Sequence, residues 1–495
     1  MSHSAEIAST QASPRCLVFD LGGGSARAML AQLEGGTIRL TELHRFTGYQ
    51  TRLADGPALD VSALLRGIDA GLEAAAAAGG VDSIGADGWG VDFVLLDERG
   101  MLLDQPRTHR HPRGQHGLAA LTASELERIA ESTGIQLLPI VSLFHLCDWA
   151  KTHPELARKA ARFLMIADLV ALHLSGVAAC EWTLARTSGL LSAKTGGWDR
   201  AMLAFTGLPE QAFGPLVAPG TVLGQLSPAL QSRTELSAAR VVAVAAHDTA
   251  SAALCLAPAE DEAFLVCGSW ILVGAEIADG SMPLDAQQQG FGLEGGVEGR
   301  GLLVRSLQGM HLLRGLRDAW ARRTGTEPSF PDIAEAADRA NPAAPAINPS
   351  DPLFVDAVDM IEALRAHCPK LNHDDLGELA RAVYVGLAAE VTISLDRLEE
   401  LTGRPIRRIR LGGGGADDPV LCRTIANASG REVLAGPVEA SAMGNAMAQF
   451  TALGAFASMR AAQARGSAGC DIRSYPPSTF RPTAEPSMPY EKGFS

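Results

Sequence analysis

This sequence has no surplus of positive charge, no paired-cysteine motif, no long apolar run and no P-loop lysine. With 42 Lys and Arg against 56 Asp and Glu, its formal net charge is -14. Such a field repels a phosphate-rich polymer, so nucleic acid is not an expected partner. A small anion is still allowed where backbone N–H groups, a helix N-terminus or a bound cation receive it locally. The eight cysteines, at 16, 147, 180, 255, 267, 368, 422 and 470, form no C-x-x-C pair and lie in apolar segments. They are expected as reduced core thiols of a cytoplasmic protein. The first fifteen residues hold no apolar stretch suited to a signal peptide. No run approaches the ~20 apolar residues that cross a bilayer. A membrane partner is therefore not expected; the chain is expected as a monomer or a homodimer.

What is present is ordinary for a soluble globular chain: 47% hydrophobic and 20% charged residues. A length of 495 residues exceeds one ordinary core and predicts two domains. Residues 16–19 predict a strand, followed by a glycine turn and a strand near 28–32. Gly35-Gly36 turns the chain into a third strand at 38–44. A helix is predicted over 61–79, strands at 81–85 and 93–97, mostly helix over 123–175, and a buried strand at 241–246. From Ala263, A-F-L-V-C-G-S-W-I-L-V-G-A-E repeats the pattern of C-L-V-F-D-L-G-G-G-S-A-R-A-M-L, which begins at Cys16. Each is a strand, a polar glycine loop and a strand, so the architecture reads as duplicated. The best helix is 375–402, with Asp375 and Glu378 at capping-box spacing and Gly403 as its stop. A strand at 406–411, a loop at 412–415 and a helix at 419–428 follow. The expected division is a disordered 1–14, one lobe over 15–254, a second over 255–465, and a Pro/Ser-rich tail over 466–495 on the surface or disordered.

Several segments can carry chemistry. In D-L-G-G-G-S-A-R, Gly22, Gly23 and Gly24 let backbone N–H groups approach a phosphate, Ser25 offers a hydroxyl and Arg27 a positive charge. Asp20 at the strand end can hold Mg²⁺ through water. A tight hairpin explains the same residues equally simply, and no G-K-[ST] follows. In I-R-L-G-G-G-G-A-D-D, four glycines exceed what a strand-to-helix turn needs, which favours ligand contact. G-F-G-L-E-G, at 290–295, fits G-x-G-x-x-G by letters but follows three glutamines and no strand, so a dinucleotide reading is set aside. In A-A-H-D-T-A, Asp248 is either a helix cap or a base that takes a proton from a substrate hydroxyl. In D-G-W-G-V-D, Asp87, Trp89 and Asp92 suit a sugar, and a core tryptophan in a tight turn is the competing reading. His109, His111 and His116 stand among Arg107, Arg110 and Arg113, where cations oppose a metal, so a solvated basic loop is expected, with anion contact second.

The ordered set D-L-G-G-G-S-A-R, W-G-V-D-F-V-L-L-D, G-I-Q-L-L-P, H-D-T-A-S-A, G-S-W, L-G-G-G and A-G-P-V-E-A-S-A-M-G-N resembles the FGGY carbohydrate kinases, over roughly residues 15–455. Within that family it is most similar to members that phosphorylate L-rhamnulose. The resemblance implies an α/β fold of two ribonuclease-H-like lobes with a deep cleft between them. It implies ATP, Mg²⁺ and a ketose phosphorylated at its terminal hydroxyl; L-fuculose or another ketose or polyol is the alternative. By residue it implies Asp248 as base, His247 and Gly90 on the sugar, and Gly22 to Arg27 with Ser269 on phosphate. Gly413, Gly414 and Ser306 fall to the nucleotide. Ser306 and Arg314 stand where the family has Asn and Gln, Val141 replaces an Asn, and His109-Arg110-His111 replaces Y-R-D. Two other classes are weighed: an inactive sugar or nucleotide sensor, and an actin- or chaperone-like ATPase.

Overall fold

The computed structural model describes residues 13–278, 282–283, 285–355, 357–466 and 469–478. Most of the N-terminal stretch expected to be disordered, and the tail from 479 onward, lie outside the described residues.

The first sheet starts with β1 (Arg15–Leu21), β2 (Ala26–Glu34) and β3 (Thr37–Phe46), a meander joined by tight glycine turns. In β1, Cys16, Leu17, Val18 and Phe19 are all fully buried. A continuous apolar run of this kind suits a strand covered on both faces. Helix α1 (Val61–Ala77) is capped by Asp60, whose side chain accepts from Ala63 N. It buries Leu64, Ile68, Leu72 and Ala75. It lies close to the sheet: a Cβ on Gly71 would come within 2.5 Å of the Phe19 ring. Strands β4 (Ser83–Gly88), β5 (Thr221–Gln225) and β6 (Arg240–Ala243) complete the order β5-β6-β4-β1-β2-β3. Strands β4 and β1, and β6 and β4, run parallel. Helix α2 (Asp248–Leu256) follows β6.

The second sheet repeats this plan. Strands β7 (Glu262–Cys267) and β8 (Trp270–Ile277) form a hairpin, and β9 (Gly292–Gly295) and β10 (Gly301–Gln308) extend it beyond β8. After the long helix α3 (Leu376–Thr402), β11 (Arg408–Gly412) joins β7 in parallel. Strand β12 (Glu432–Ala435) joins β11, helix α4 (Ala440–Ala452) follows, and β13 (Arg473–Tyr475) closes the edge. The order is β9-β10-β8-β7-β11-β12-β13. In both sheets an antiparallel hairpin is followed by two parallel strands on its far side, so the repeat seen in the two glycine hairpins is a repeat of topology.

The two helices that follow the parallel strands join the lobes. Helix α2 packs on α4 and reaches β7 and β11, while α4 packs on β1 and β4. Together they bury one apolar layer, including Cys16, Val18, Leu254, Phe264, Ala442 and Phe450. Polar side chains of α4 enter the first sheet. Gln449 Nε2 donates to Leu17 O at 3.0 Å, and Ser83 Oγ donates to Gln449 Oε1 at 2.7 Å.

Three expectations are corrected. Within the stretch expected to be mostly helical, Arg162–Met165 is a strand paired with Phe93–Leu96. The strand expected over 241–246 ends at Ala243, beyond which the chain makes a single bridge, His247 to Gly88. Asp375 caps α3 through Gly377 N and Glu378 N, but Glu378 accepts from Asn372 N, so the capping box is not closed. In the tail, Arg473–Tyr475 pairs with β12 at the edge of the second sheet.

Candidate active site

The first glycine loop is the β1–β2 turn. Gly22 N donates to Ser25 O at 3.1 Å, and a Cβ on Gly22 would sit 2.7 Å from that oxygen. Around Gly23 and Gly24 the space is open. The loop is held from below by Tyr49, whose hydroxyl donates to Gly22 O, and by Gln50, which donates to Gly23 O. At its base, Arg27 donates to Asp20 at 2.5 Å and to Glu439, beside the start of α4, at 2.6 Å. The Arg27 charge expected on a phosphate is thus engaged by two carboxylates.

Strand register places Asp20 directly beside Asp87. Asp87 is fully buried; its Oδ1 accepts from Asn445 Nδ2 at 2.6 Å and its Oδ2 has no protein partner. Burial raises both carboxyls, Asp20 even against the opposing charge of Arg27. The charges of Asp20 and Asp248 raise Asp87 further.

Asp248 opens α2. Thr249 Oγ1 donates to its Oδ1 at 3.2 Å, and its side chain is 35% exposed to the cleft. Burial, with the Asp20 charge second, pushes its carboxyl up to about 7. The cap reading fails in detail: the residue before the helix is His247, and no side-chain cap bond is made. His247 sits with Nε2 3.4 Å from Asp248 Oδ1 and Nδ1 3.4 Å from Glu294 Oε2. Behind them Glu181 is fixed by Thr183 and Leu184, and it accepts from Ala246 N at 3.0 Å. Asp20, Asp87, His247, Asp248 and Glu294 therefore form one cluster drawn from both sheets.

The 87–92 loop departs from the sugar-platform picture. Trp89 is 9% exposed, stacks on Tyr49 at 6.1 Å and donates from Nε1 to Asp92 at 2.8 Å. Gly90 is half-buried, and a Cβ there would come within 2.9 Å of the Thr187 side chain. Val91, a β-branched residue, has φ +67, with its N–H bonded to Thr187 Oγ1 at 3.0 Å. Backbone strain of that kind persists only where surroundings fix it. The basic loop is not solvated throughout either. His109 meets Asp92, Arg107 pairs with Asp55 at 2.8 Å, and Arg113 is buried against His145. Arg110 and His116 are the exposed members of this basic set. Val141 is 3% exposed and packs in the core.

On the second sheet, Ser269 tips the β7–β8 hairpin, and its carbonyl accepts from His311 Nδ1 at 2.8 Å. Ser306, on β10, pairs across to Leu272 on β8. Gly413 follows β11 with φ +84; a Cβ there would lie 2.7 Å from Cys267 O, whereas Gly414 faces open space. Glu294, Asn445 and Tyr49 belong to the site although no candidate motif singles them out. For Glu294 the signal was present, a carboxylate between glycines in G-F-G-L-E-G, but the motif was weighed only as a dinucleotide site. No group of three or more His, Cys, Asp or Glu suited to a metal occurs among the described residues. None of their helices is long and apolar enough to cross a membrane.

Solved structures share this architecture. A ligand-bound xylulose kinase from Lactobacillus acidophilus superposes with a TM-score of 0.78 at 15% identity, covering 94% of each chain. A glycerol kinase from Plasmodium falciparum with ADP gives 0.76 at 13% identity, again covering 94% of each. The fold is thus that of the two-lobed kinases. Residues 16–255 match the N-terminal domain of the FGGY family of carbohydrate kinases, and residues 263–453 match its C-terminal domain. The chain belongs to the FGGY family and is a carbohydrate kinase, a phosphotransferase acting on sugars. It is 35% identical to a rhamnulokinase from Bacteroides thetaiotaomicron, over 94% of this chain and 95% of that one. A rhamnulokinase from Enterococcus faecalis is 33% identical, over 90% and 91%.

Proposed function

We propose that this kinase transfers the γ-phosphoryl group of ATP to the terminal hydroxyl of a ketose, with L-rhamnulose as substrate. The observation that carries the reading is Asp248, a cleft-facing carboxylate at a helix start with its pKa raised to about 7. A base poised near the working pH takes a hydroxyl proton efficiently. As the sugar oxygen attacks phosphorus, its proton passes to Asp248, the bond from phosphorus to the ADP oxygen breaks, and ADP leaves. His247, Asp87, Trp89 and Gly90 form the sugar side, the first two by hydrogen bonding and the loop pair by shape. Gly22, Gly23, Gly24, Ser25 and Ser269 receive the phosphates, with Arg27 bracing the base of the loop through Asp20 and Glu439, and Ser306, Gly413 and Gly414 receive the nucleoside. The sugar site and phosphate loop belong to a lobe over 15–254, and the nucleotide site to one over 255–465.

The acidic pair fits Mg²⁺, which keeps several waters and takes one or two carboxylates beside the phosphates. Asp20 would hold it through water, and Asp87 Oδ2, without a protein partner, faces the same need. When bound, the ion supplies neutralisation of phosphate charge.

The choice of L-rhamnulose is supported by the names of the relatives at 33–35% identity. An ADP-release assay across L-rhamnulose, L-fuculose and other ketoses and polyols tests it. The highest kcat/KM is expected for L-rhamnulose. A higher value for L-fuculose reassigns the sugar, and ATP binding without ADP release for any member points to a sensor.

A further inference from the structure

We infer that Glu294 is a positioning residue for the His247–Asp248 pair, holding the imidazole from Nδ1 so that Nε2 presents a lone pair beside the base. The inference rests on the role proposed for Asp248, and it adds a residue from the opposite lobe.

Glu294 comes from β9, the edge strand of the second sheet, yet its backbone is fastened to the first lobe. Leu293 N donates to Gly134 O at 2.8 Å. A Cβ on Gly295 would lie only 2.9 Å from Thr183 Cα, so the two backbones touch there. Between these anchors the Glu294 side chain, 22% exposed, reaches His247, 9% exposed. Glu294 Oε2 and His247 Nδ1 are 3.4 Å apart, and neither atom has a hydrogen-bond partner elsewhere. Hiding both groups unpaired is costly, and a modest ring rotation pairs them. Active-site hydrogen bonds are often long in unliganded proteins and tighten with substrate.

The chemistry follows from the tautomer. Burial lowers the basicity of His247, so the ring is neutral and carries one N–H. Burial raises the Glu294 carboxyl and the facing His247 opposes that rise; in its ionised form Glu294 accepts only, which puts that N–H on Nδ1. Nε2 then has a lone pair 3.4 Å from Asp248 Oδ1. Two acceptors face each other until a proton arrives. It comes either from a sugar hydroxyl that donates to Nε2 or from Asp248 once it has taken the reacting proton and donates in turn. Glu294 itself gains no proton. In this role Glu294 acts through His247, with Asp20 and Asp87 the other charges around Asp248.

Two measurements test this. In protein labelled with ¹⁵N-histidine, with His247→Gln assigning the signal, His247 is expected as the Nδ1–H tautomer, and Glu294→Ala moves it toward Nε2–H. An Nε2–H ring in the unmodified protein overturns the inference, whether or not a ketose is turned over. In kinetics, Glu294→Ala is expected to lower kcat at least about tenfold with the KM for ATP unchanged, but by less than about twofold in a His247→Ala background. Losses that multiply across the two substitutions overturn it. Glu294→Leu, similar in size and without an acceptor, gives the same readouts should the alanine variant fail to fold. Absence of turnover on every ketose would count against the proposed reaction alone, because the tautomer still decides the role of Glu294.

Discussion

Asp87 Oδ1 accepts a 2.6 Å hydrogen bond from Nδ2 of Asn445, 358 residues further along the chain. That bond ends a buried ladder: Ser83 donates to Gln449, Gln449 to Asn445 at 2.7 Å, and Asn445 to Asp87. It ties α4 to the strand that carries the candidate sugar loop. Replacing Asn445 by Ala leaves the Asp87 carboxyl and the Gln449 amide short of partners in a dry layer. Urea unfolding is expected to show a loss of about 1–3 kcal/mol. An unchanged midpoint would mean the ladder carries no stability.

Asp87 is itself a source of instability at neutral pH. Burial and the Asp20 charge raise its carboxyl well above the usual range, and the Asn445 bond only partly opposes them. A carboxyl raised in the folded state contributes its full stability below its unfolded pKa, and that contribution falls as pH rises toward the folded value. Asp87→Asn keeps an oxygen for Asn445 and removes the charge. Its stability relative to the unmodified protein is expected to grow from pH 5 to pH 8, while sugar turnover falls. A stability difference that shrinks over that range would reverse the sign and refute the assignment.

The pH profile of kcat/KM for the sugar reports the base in free enzyme. With Asp248 raised to about 7, the ionised form is lost as pH falls through that value. The rate is expected to fall about tenfold per pH unit below that point and to level off above it. An acid limb centred near 4, the ordinary carboxylate range, would mean that the base is not raised in the free enzyme.

Gly90→Ala isolates the sugar loop. The added Cβ would meet the Thr187 side chain at 2.9 Å, disturbing the hydroxyl that bonds Val91 N at 3.0 Å. Because Val91 is held at φ +67, the loop has little freedom to yield. The KM for the sugar is expected to rise at least about tenfold with the KM for ATP unchanged, since a small misplacement at a reacting site is costly. Equal effects on both constants would place the loop elsewhere.

Much of this was legible because short-range signals were strong. The glycine hairpins of β1–β2 and β7–β8 join apolar strands, and their likeness foretold two sheets of the same plan. The run Phe163-Leu164-Met165 read as helix, because a short apolar run has no period that separates strand from helix. The site was legible in type more than in geometry. His247 and Asp248 are adjacent, so their chemistry shows in the letters. Trp89 also shows, but only the fold reveals that Tyr49 stacks on it and Asp92 takes its N–H. Glu294 and Asn445 reach the site through strand order and helix packing, which no local spacing encodes.

The central claim is that Asp248 takes the proton in sugar phosphorylation. Its most direct test is single-turnover phosphoryl transfer to L-rhamnulose by Asp248→Asn, with sugar and ATP binding measured alongside. The expected result is normal folding, near-normal binding and a rate lower by about 10²–10⁴-fold. A variant that folds, binds and transfers at the unmodified rate would contradict it.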